Sequence, residues 1–276
     1  MEWTGNLRKM NTELYMNSKG EVQYHLRGAN VLEPLDALEM NEWVGKNLRI
    51  EFLNEIHCRS TGQRINKTFG EGLSYQAWME DPASVPSVLR PELSRIHEGI
   101  ALRDHEWEQK HHNQPHLLYI SQTGNFKVGV TRSTNRPHRW HDQGAVGAVV
   151  IAEVPYRQLA GEMEVALKEV MSDKTNYRKM LTNVQVDVDE LFDWREACFD
   201  QLGEQYEPFF LDETKAETFH YPVIQYPTKI KSVTLLKEPL IAARLTGIKG
   251  QYLIFDGGTV FNVRRHSGFR VRILTE

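Results

Sequence analysis

Residues 116–170 constrain this chain most. Leu117 to Ser121 and Phe126 to Thr131 are two short apolar runs separated by Gln122-Thr123-Gly124-Asn125, a spacing and composition that close a β-hairpin. Pro137 to Gln143 reads as a short helical turn, Gly144 breaks it, and Val146 to Val154 is a continuous apolar run of strand length. After Pro155, Leu159, Met163, Ala166, Leu167 and Val170 share one helical face. The order β-β-α-β-α within about 55 residues predicts a small sheet with helices beside it.

The flanking sequence reads differently. Glu21 to Leu26 follows the turn signal Asn17-Ser18-Lys19-Gly20, and Leu48, Ile50 and Phe52 alternate with Asn47, Arg49 and Glu51, the period of a half-buried strand. Residues 57–90 lose periodicity and gather Gly, Ser and Pro, so a loop-rich segment is expected. The spacing of Leu93, Ile96, Ile100 and Trp107 predicts a helix opening at Pro91 and stopping before Pro115. Residues 188–202 predict a second amphipathic helix with Leu191, Phe192, Cys198, Phe199 and Leu202 inside. The tail returns to strands over Gln251–Asp256, Thr259–Arg265 and Phe269–Leu274, with Arg270 and Arg272 facing away from Phe269, Val271 and Ile273.

The expected fold class is therefore α+β: a central three-stranded antiparallel sheet with flanking helices, between N- and C-terminal β-rich regions. Four segments follow: 1–115, 116–183, an acidic helical stretch at 184–218, and a basic β segment at 219–276. The first and last are candidates for packing together, since neither alone closes a barrel.

Composition narrows the class further. With 40% hydrophobic and 25% charged residues in 276, the chain resembles an ordinary globular protein rather than a disordered or collagenous one. Two cysteines, Cys58 and Cys198, are too few for a disulfide framework. The longest uncharged apolar stretch runs from Ala145 to Ala152, far short of the roughly 20 residues a spanning helix needs. The opening Met1-Glu2-Trp3-Thr4-Gly5-Asn6 has no basic segment followed by an apolar one, so a cytoplasmic setting is expected. Charge is unevenly spread: residues 184–218 hold 2 basic against 11 acidic side chains, and residues 219–276 hold 9 against 3. Basic blocks beside an acidic one point to a polyanion-facing surface.

The central block also carries a chemically coherent set. Tyr119 lies on the first strand, Lys127 begins the second, Arg132, Arg136 and Arg139 follow, and Glu162 and Glu164 sit on the later helix. Arginine can hold a phosphate oxygen in a fork and stabilise the charge of a phosphodiester transition state. A glutamate can hold one hydrated Mg²⁺ or Mn²⁺, and a tyrosine or lysine can relay a proton if its site shifts its pKa. Such residues more often sit on solvated rims.

Leu117-Leu118-Tyr119 and Lys127-Val128-Gly129, followed by an arginine and a helical glutamate, resemble the motifs of the GIY-YIG nuclease superfamily. Lys127 to Arg132, Arg139 to Ala145, Gly247 to Leu253 and Phe261 to Arg264 resemble one group more closely, the domain-of-unknown-function 2797 family. The resemblance implies that Tyr119 and Gly129 stand at the first and second motifs, Arg139 at the phosphate-binding arginine ahead of Arg132 and Arg136, and Glu164 at the metal position ahead of Glu162. Helical spacing does not choose between the two glutamates. The superfamily's late asparagine has only Asn183 and Asn176 as loose matches. Lys127 replaces a tyrosine of the best-studied nucleases. Residues 58–77 resemble a zinc segment in which only Cys58 remains, with Thr61, Ser74 and Ala77 at the other places, so no structural zinc is expected. Packing around Phe69, Tyr75 and Trp78 is expected to hold that loop instead.

Other motifs are weaker. His105-Glu106 lacks a second histidine four residues on, and His111 lies about 240° further around a helix; His138 and His141, beside Arg139, are minor candidates for phosphate or proton-transfer contacts. No Walker loop, nucleophile elbow or dinucleotide fingerprint occurs. Trp140, Arg264, Arg265, Arg270 and Arg272 are further candidates for nucleic-acid contact, the four tail arginines as a basic sheet face near Tyr252 and Phe261. An ordinary charged sheet surface is the simpler reading of that tail. The functional expectation is a protein that acts on nucleic acid, RNA or DNA, as a Mg-dependent phosphodiester hydrolase. The alternatives are a non-catalytic nucleic-acid-binding module, or a scaffold meeting a protein partner through the acidic segment.

Overall fold

The computed structural model describes residues 1–171 and 174–275. The fold is α+β and divides into two compact units, residues 1–80 with 220–276, and residues 81–219. No helix among the described residues is long and apolar enough to cross a membrane.

The unit containing both termini is built on a nine-stranded sheet. In order across the sheet the strands are Lys231–Val233, Thr259–Asn262, Tyr252–Phe255, Leu240–Lys249, Asn47–Ile56, Phe269–Thr275, Glu2–Leu7, Gly28–Asn30 and Glu33–Pro34. Every pairing is antiparallel except the first, which is parallel. The alternation read from Leu48, Ile50 and Phe52 holds, since all three are buried. Near the far end of that strand Asn54 takes φ +58°, a conformation Asn tolerates better than most residues. The register with Phe269–Thr275 shifts there, with Ile56 opposite Phe269 and Phe52 opposite Val271. A small sheet of Asn11–Thr12, Tyr24–Leu26 and Leu38–Glu39 completes the unit; of the stretch Glu21 to Leu26, only its last part is a strand.

The other unit is built on a four-stranded antiparallel sheet ordered Glu217–Thr218, Gly147–Val154, His116–Gln122, Phe126–Arg132. The three expected strands are present, and the two-residue Glu217–Thr218 strand adds a fourth at the edge, too short to leave a periodic signal. On one face Leu118, Ile120, Val128, Val130, Val149 and Ile151 pack against the helices Arg157–Leu167 and Val188–Leu202 through Ala160, Met163, Leu167, Leu191, Cys198 and Leu202. Burying each such side chain contributes about 1.5–3 kcal/mol, so this face is the core of the unit.

The helix expected from Pro91 is not continuous. Pro91–Leu93 and Ile96–Glu98 are single 3₁₀ turns, Gly99 reverses the chain at φ +81°, and the α-helix spans only His105–His112. Asp104 starts it by accepting from the Trp107 N–H at 2.7 Å. The apolar spacing was real, and Leu93 and Ile96 lie on separate turns rather than one helix.

Lys249 is a buried cation in the first unit. It has no exposed surface, and its Nζ makes no hydrogen bond, lying 5.3 Å from the Tyr221 ring and 5.6 Å from the Tyr226 ring. Burial pushes its pKa down from 10.5 to about 8. The folded chain therefore binds this proton less tightly than the unfolded chain, and stability rises with pH from about 8 to about 10.5. The difference is on the order of 3 kcal/mol at neutral pH, offset in part by the two tyrosine faces. Lys249→Met is expected to stabilise the protein by about 1–3 kcal/mol at pH 7 and to flatten the pH dependence between 8 and 10.5, measured by urea unfolding. Equal pH slopes in the two proteins would exclude this account.

Candidate functional site

The helix Arg157–Leu167 places Arg157, Gly161 and Glu164 at intervals of four and three, so the three lie on one stripe. Gly161 is required there because a Cβ would fall 2.2 Å from the Glu92 amide nitrogen and 2.5 Å from the Pro91 carbonyl carbon. The helix thus presses directly on the Pro91–Leu93 turn. Arg157 fastens the same segment, donating from Nε to the Ser87 carbonyl at 2.7 Å and from Nη2 to the Val88 carbonyl at 2.8 Å.

Between this stripe and the end of the Phe126–Arg132 strand lies a cleft of about 290 Å³. Its wall includes Thr131, Arg132, Asn135, Arg139, Arg157 and Glu164, with Val88, Leu89 and Pro91 at the apolar side. Three guanidinium groups and one carboxylate therefore share one small space. Arg132 donates from Nη1 to His111 Nδ1 at 2.7 Å, which requires that nitrogen to be unprotonated. Burial, followed by the charges of Arg132 and Lys110, holds the His111 pKa below its usual value.

Arg139 projects from the His138–Gln143 helix, which Gly144 ends at φ +68°. Its Nε is buried without a hydrogen-bond partner. The Tyr119 oxygen, and behind it the carboxylates of Asp142 and Glu164, raise its pKa despite burial. Arg157 shifts the other way: burial pushes it down to about 10, Glu164 opposes this, and the charges of Arg139 and Arg132 add to it. The charges of Arg139 and Arg132 thus act against that of Arg157, and a bound anion would offset them.

Glu164 is nearly buried, with its Oε2 3.9 Å from Lys168 Nζ, one turn on. Its hard oxygens suit a divalent cation of the magnesium type. Glu92, which also acts on Arg157, keeps a buried Oε2 with no hydrogen-bond partner. Among the described residues no three His, Cys, Asp or Glu side chains form a ready-made metal cage.

The other candidates lie elsewhere. Tyr119 is completely buried, donates from Oη to Gln143 Oε1 at 3.2 Å, and packs edge-on to the Trp140 ring. Lys127 is buried on the same face, register-paired with Ser121 while Tyr119 pairs with Gly129. Neither lines the cleft. Trp140 is also fully buried, against Tyr119 and Phe219, and does not present its ring to solvent. Arg136 is held by two carboxylates of the acidic stretch, Glu213 at 2.7 Å and Glu217, and lies over the Trp140 ring. Glu162 is exposed and paired with Gln158. His141 is buried against Phe219, and burial pushes its pKa down to about 4.

In the other unit, Arg264 pairs with Glu71 at 2.5 Å, Arg272 with Glu51 at 2.7 Å, and Arg270 lies 3.8 Å from Glu55. Arg265 is exposed, its amide capped by Asn262 Oδ1. Cys58 is buried within its loop, 3.3 Å from Ser60 Oγ and accepting from the Ser74 amide at 3.3 Å. Although burial opposes it, the hydrogen bonds from Ser60, Thr61 and Ser74 bring its pKa down to about 6.

Sequence reasoning missed Arg157. Its signal was available: it stands seven residues before Glu164, two turns along the same helix face. What could not be read was that the Pro91–Leu93 turn returns to that face.

The seating of Tyr119 depends on Gly129, where a Cβ would lie 2.7 Å from Tyr119 Oη and 2.8 Å from its Cζ. Tyr119 has no room to yield. Gly129→Ala is expected to destabilise the protein by about 1–3 kcal/mol, read as a lower Tm. An unchanged Tm would mean that Tyr119 is not pinned in this way.

No curated protein and no solved structure matches the chain. The family model described as Protein of unknown function (DUF2797) matches residues 45–271, most of the chain, including the four-stranded sheet and the cleft beside it. The chain accordingly belongs to the DUF2797 family.

Proposed function

We propose that the protein binds nucleic acid and hydrolyses a phosphodiester in the cleft of the second unit, assisted by one Mg²⁺ or Mn²⁺. The observation that carries this reading is the convergence of Arg132, Arg139 and Arg157 with Glu164 on one cleft of about 290 Å³. A phosphodiester brings the negative charge this cluster lacks, and its transition state brings more, which fixed guanidinium groups stabilise without reorganising.

Arg139 and Arg157 hold phosphate oxygens in this reading, and Glu164 holds the cation. The cation, when bound, neutralises phosphate charge and makes its water a stronger nucleophile. Tyr119 is a positioning residue: being buried beside Arg139, it orients that guanidinium rather than touching substrate. The succession of Tyr119 on one strand, Gly129 opposite it, Arg139 on the next helix and Glu164 on the one after follows the order of a GIY-YIG-like module, which supports the same reading.

One observation favours a second reading, recognition without cleavage. The wall contains no tyrosine, lysine or histidine to carry a proton, since Tyr119 and Lys127 are buried behind it. Cleavage and binding measured on labelled single- and double-stranded RNA and DNA, with and without Mg²⁺ or Mn²⁺, separate the two. Hydrolysis predicts metal-dependent cutting, reduced about 10²- to 10³-fold in Arg139→Ala and lost in Glu164→Gln. Cutting retained in both variants would overturn the assignment. Binding without cutting, unchanged in Glu164→Gln, would establish the second reading.

A further inference from the structure

Phosphate and cation do not account for the apolar side of the cleft in residues 81–219. Arg132, Arg139, Arg157 and Glu164 suit the charged part of a phosphodiester, yet Val88, Leu89, Pro91 and Val130 line the same space. A phosphate offers such side chains no apolar surface to cover, whereas the group joined to it can.

Leu89 carries the argument. It is 87% exposed, more than any other large apolar side chain among the described residues, and Val88 beside it is 37% exposed. A single leucine in solvent is ordinary, but this one stands on a rigid mount. Val85 and Ser87 are buried, while Val88 and Leu89 are turned outward. The turn Pro86–Val88 is closed by the Val88 amide donating to the Val85 carbonyl at 3.0 Å. The Leu89 and Arg90 amides both donate to the Pro86 carbonyl, at 3.1 and 3.0 Å. Pro86 and Pro91 fix the backbone φ on either side of Leu89.

The mount is fastened to the Arg157–Leu167 helix both before and after Leu89. Before it, Arg157 holds the Ser87 and Val88 carbonyls. After it, the Pro91 and Glu92 backbone lies so close to Gly161 that a Cβ there would be 2.2 Å from the Glu92 nitrogen. Leu89 is therefore held between two points pinned to the helix that also supplies Arg157 and Glu164 to the cleft. A side chain on a backbone already fixed in this way costs little further ordering when a ligand covers it. The apolar group joined to a nucleic-acid phosphodiester is the nucleoside, and its largest flat surface is the face of the base. In a duplex that face is covered by its stacked neighbours, whereas in a single strand it is open to a protein side chain. Leucine is among the side chains that pack against unstacked base steps.

We infer that Leu89 packs against an unstacked base next to the phosphate in the cleft, so that the preferred substrate is single-stranded or locally unpaired nucleic acid. This inference rests on the reading of the cleft as a phosphodiester site. Leu89 determines specificity in it and takes no part in the chemistry.

The test is fluorescence anisotropy with the full chain and labelled DNA and RNA 12-mers, each as a single strand and as a blunt duplex, with ATP as competitor. Mg²⁺ is withheld so that no substrate is consumed. Wild type is expected to bind the single strand about tenfold more tightly than the duplex. Leu89→Ser is expected to weaken single-strand binding about tenfold and duplex binding less than twofold, with Tm unchanged because the side chain is exposed. It removes no charge, so the salt slope of log K stays the same, whereas Arg139→Ala lowers the single-strand slope by about 0.7. Leu89→Met is expected to restore the preference. Wild type that binds no oligonucleotide would overturn the phosphodiester reading and this inference together. Binding that is weakened in Arg139→Ala but unchanged in Leu89→Ser would overturn this inference alone and leave the leucine to a protein contact. Equal losses on single strand and duplex, or a lowered Tm in Leu89→Ser, would also overturn it by making the residue structural. Competition by ATP as strong as by the unlabelled 12-mer would overturn it too, assigning the cleft to free nucleotide.

Discussion

A strand shows alternate side chains to opposite faces, and in the second unit that alternation divides labour between core and site. Pairing Tyr119 with Gly129 puts Leu118, Ile120, Val128 and Val130 together on the face that receives two helices. The same register puts Tyr119, Lys127 and Thr131 on the opposite face, with Arg139 and Trp140 packed beyond Tyr119. A one-residue slip would exchange the two sets and send the phenol and the lysine into an apolar core. The register is guarded on both sides: by the burial of the aliphatic face, and by the absence of space for anything larger than glycine opposite Tyr119.

The candidate cleft then follows from the placement of two short helices about that sheet. The Arg157–Leu167 helix must lie flat enough on the core to bury Ala160, Met163 and Leu167, which leaves Arg157, Gly161 and Glu164 along its border. Gly161 allows the Pro91–Leu93 turn to close over this border, and Arg157 ties down the preceding Ser87 and Val88 carbonyls. The hydrogen bonds that orient Arg157 are to neutral carbonyls, so they fix its geometry without cancelling its charge. Arg139 is fixed in a related way by a phenol. Positioning by neutral partners is what keeps a cationic site available to an anion.

The sequence exposed those parts of the fold whose signals are local. The hairpin, the Gly147–Val154 strand, the helices at 157–167 and 188–202, and the alternating tail strands were all readable because periodicity and turn residues agree there. The Pro91 helix failed because its apolar residues repeat at helical intervals by way of 3₁₀ turns, and Gly99 and the Asp104 cap divide the segment where spacing alone sees continuity. The Leu240–Lys249 strand was not identified, since it runs into Gly247 and the buried Lys249, which do not read as strand interior. Of the site, Arg132, Arg139 and Glu164 were legible as chemistry, while Arg157 was not, because its partners come from a loop some seventy residues earlier in the chain.

Charge shows most clearly why linear counting misleads. The tail is strongly basic, yet Arg264, Arg270 and Arg272 meet Glu71, Glu55 and Glu51, which belong to the mildly acidic beginning of the chain. The acidic stretch, likewise, does not stay wholly in solvent: Glu213 and Glu217 close on Arg136. Exposed pairs of this kind contribute little stability, but they determine which cations remain unmatched. In the unit of residues 81–219, Arg132, Arg139 and Arg157 line one cleft whose wall carries a single carboxylate, Glu164. Pairing in three dimensions, rather than the sum along a segment, decides where an anion is attracted.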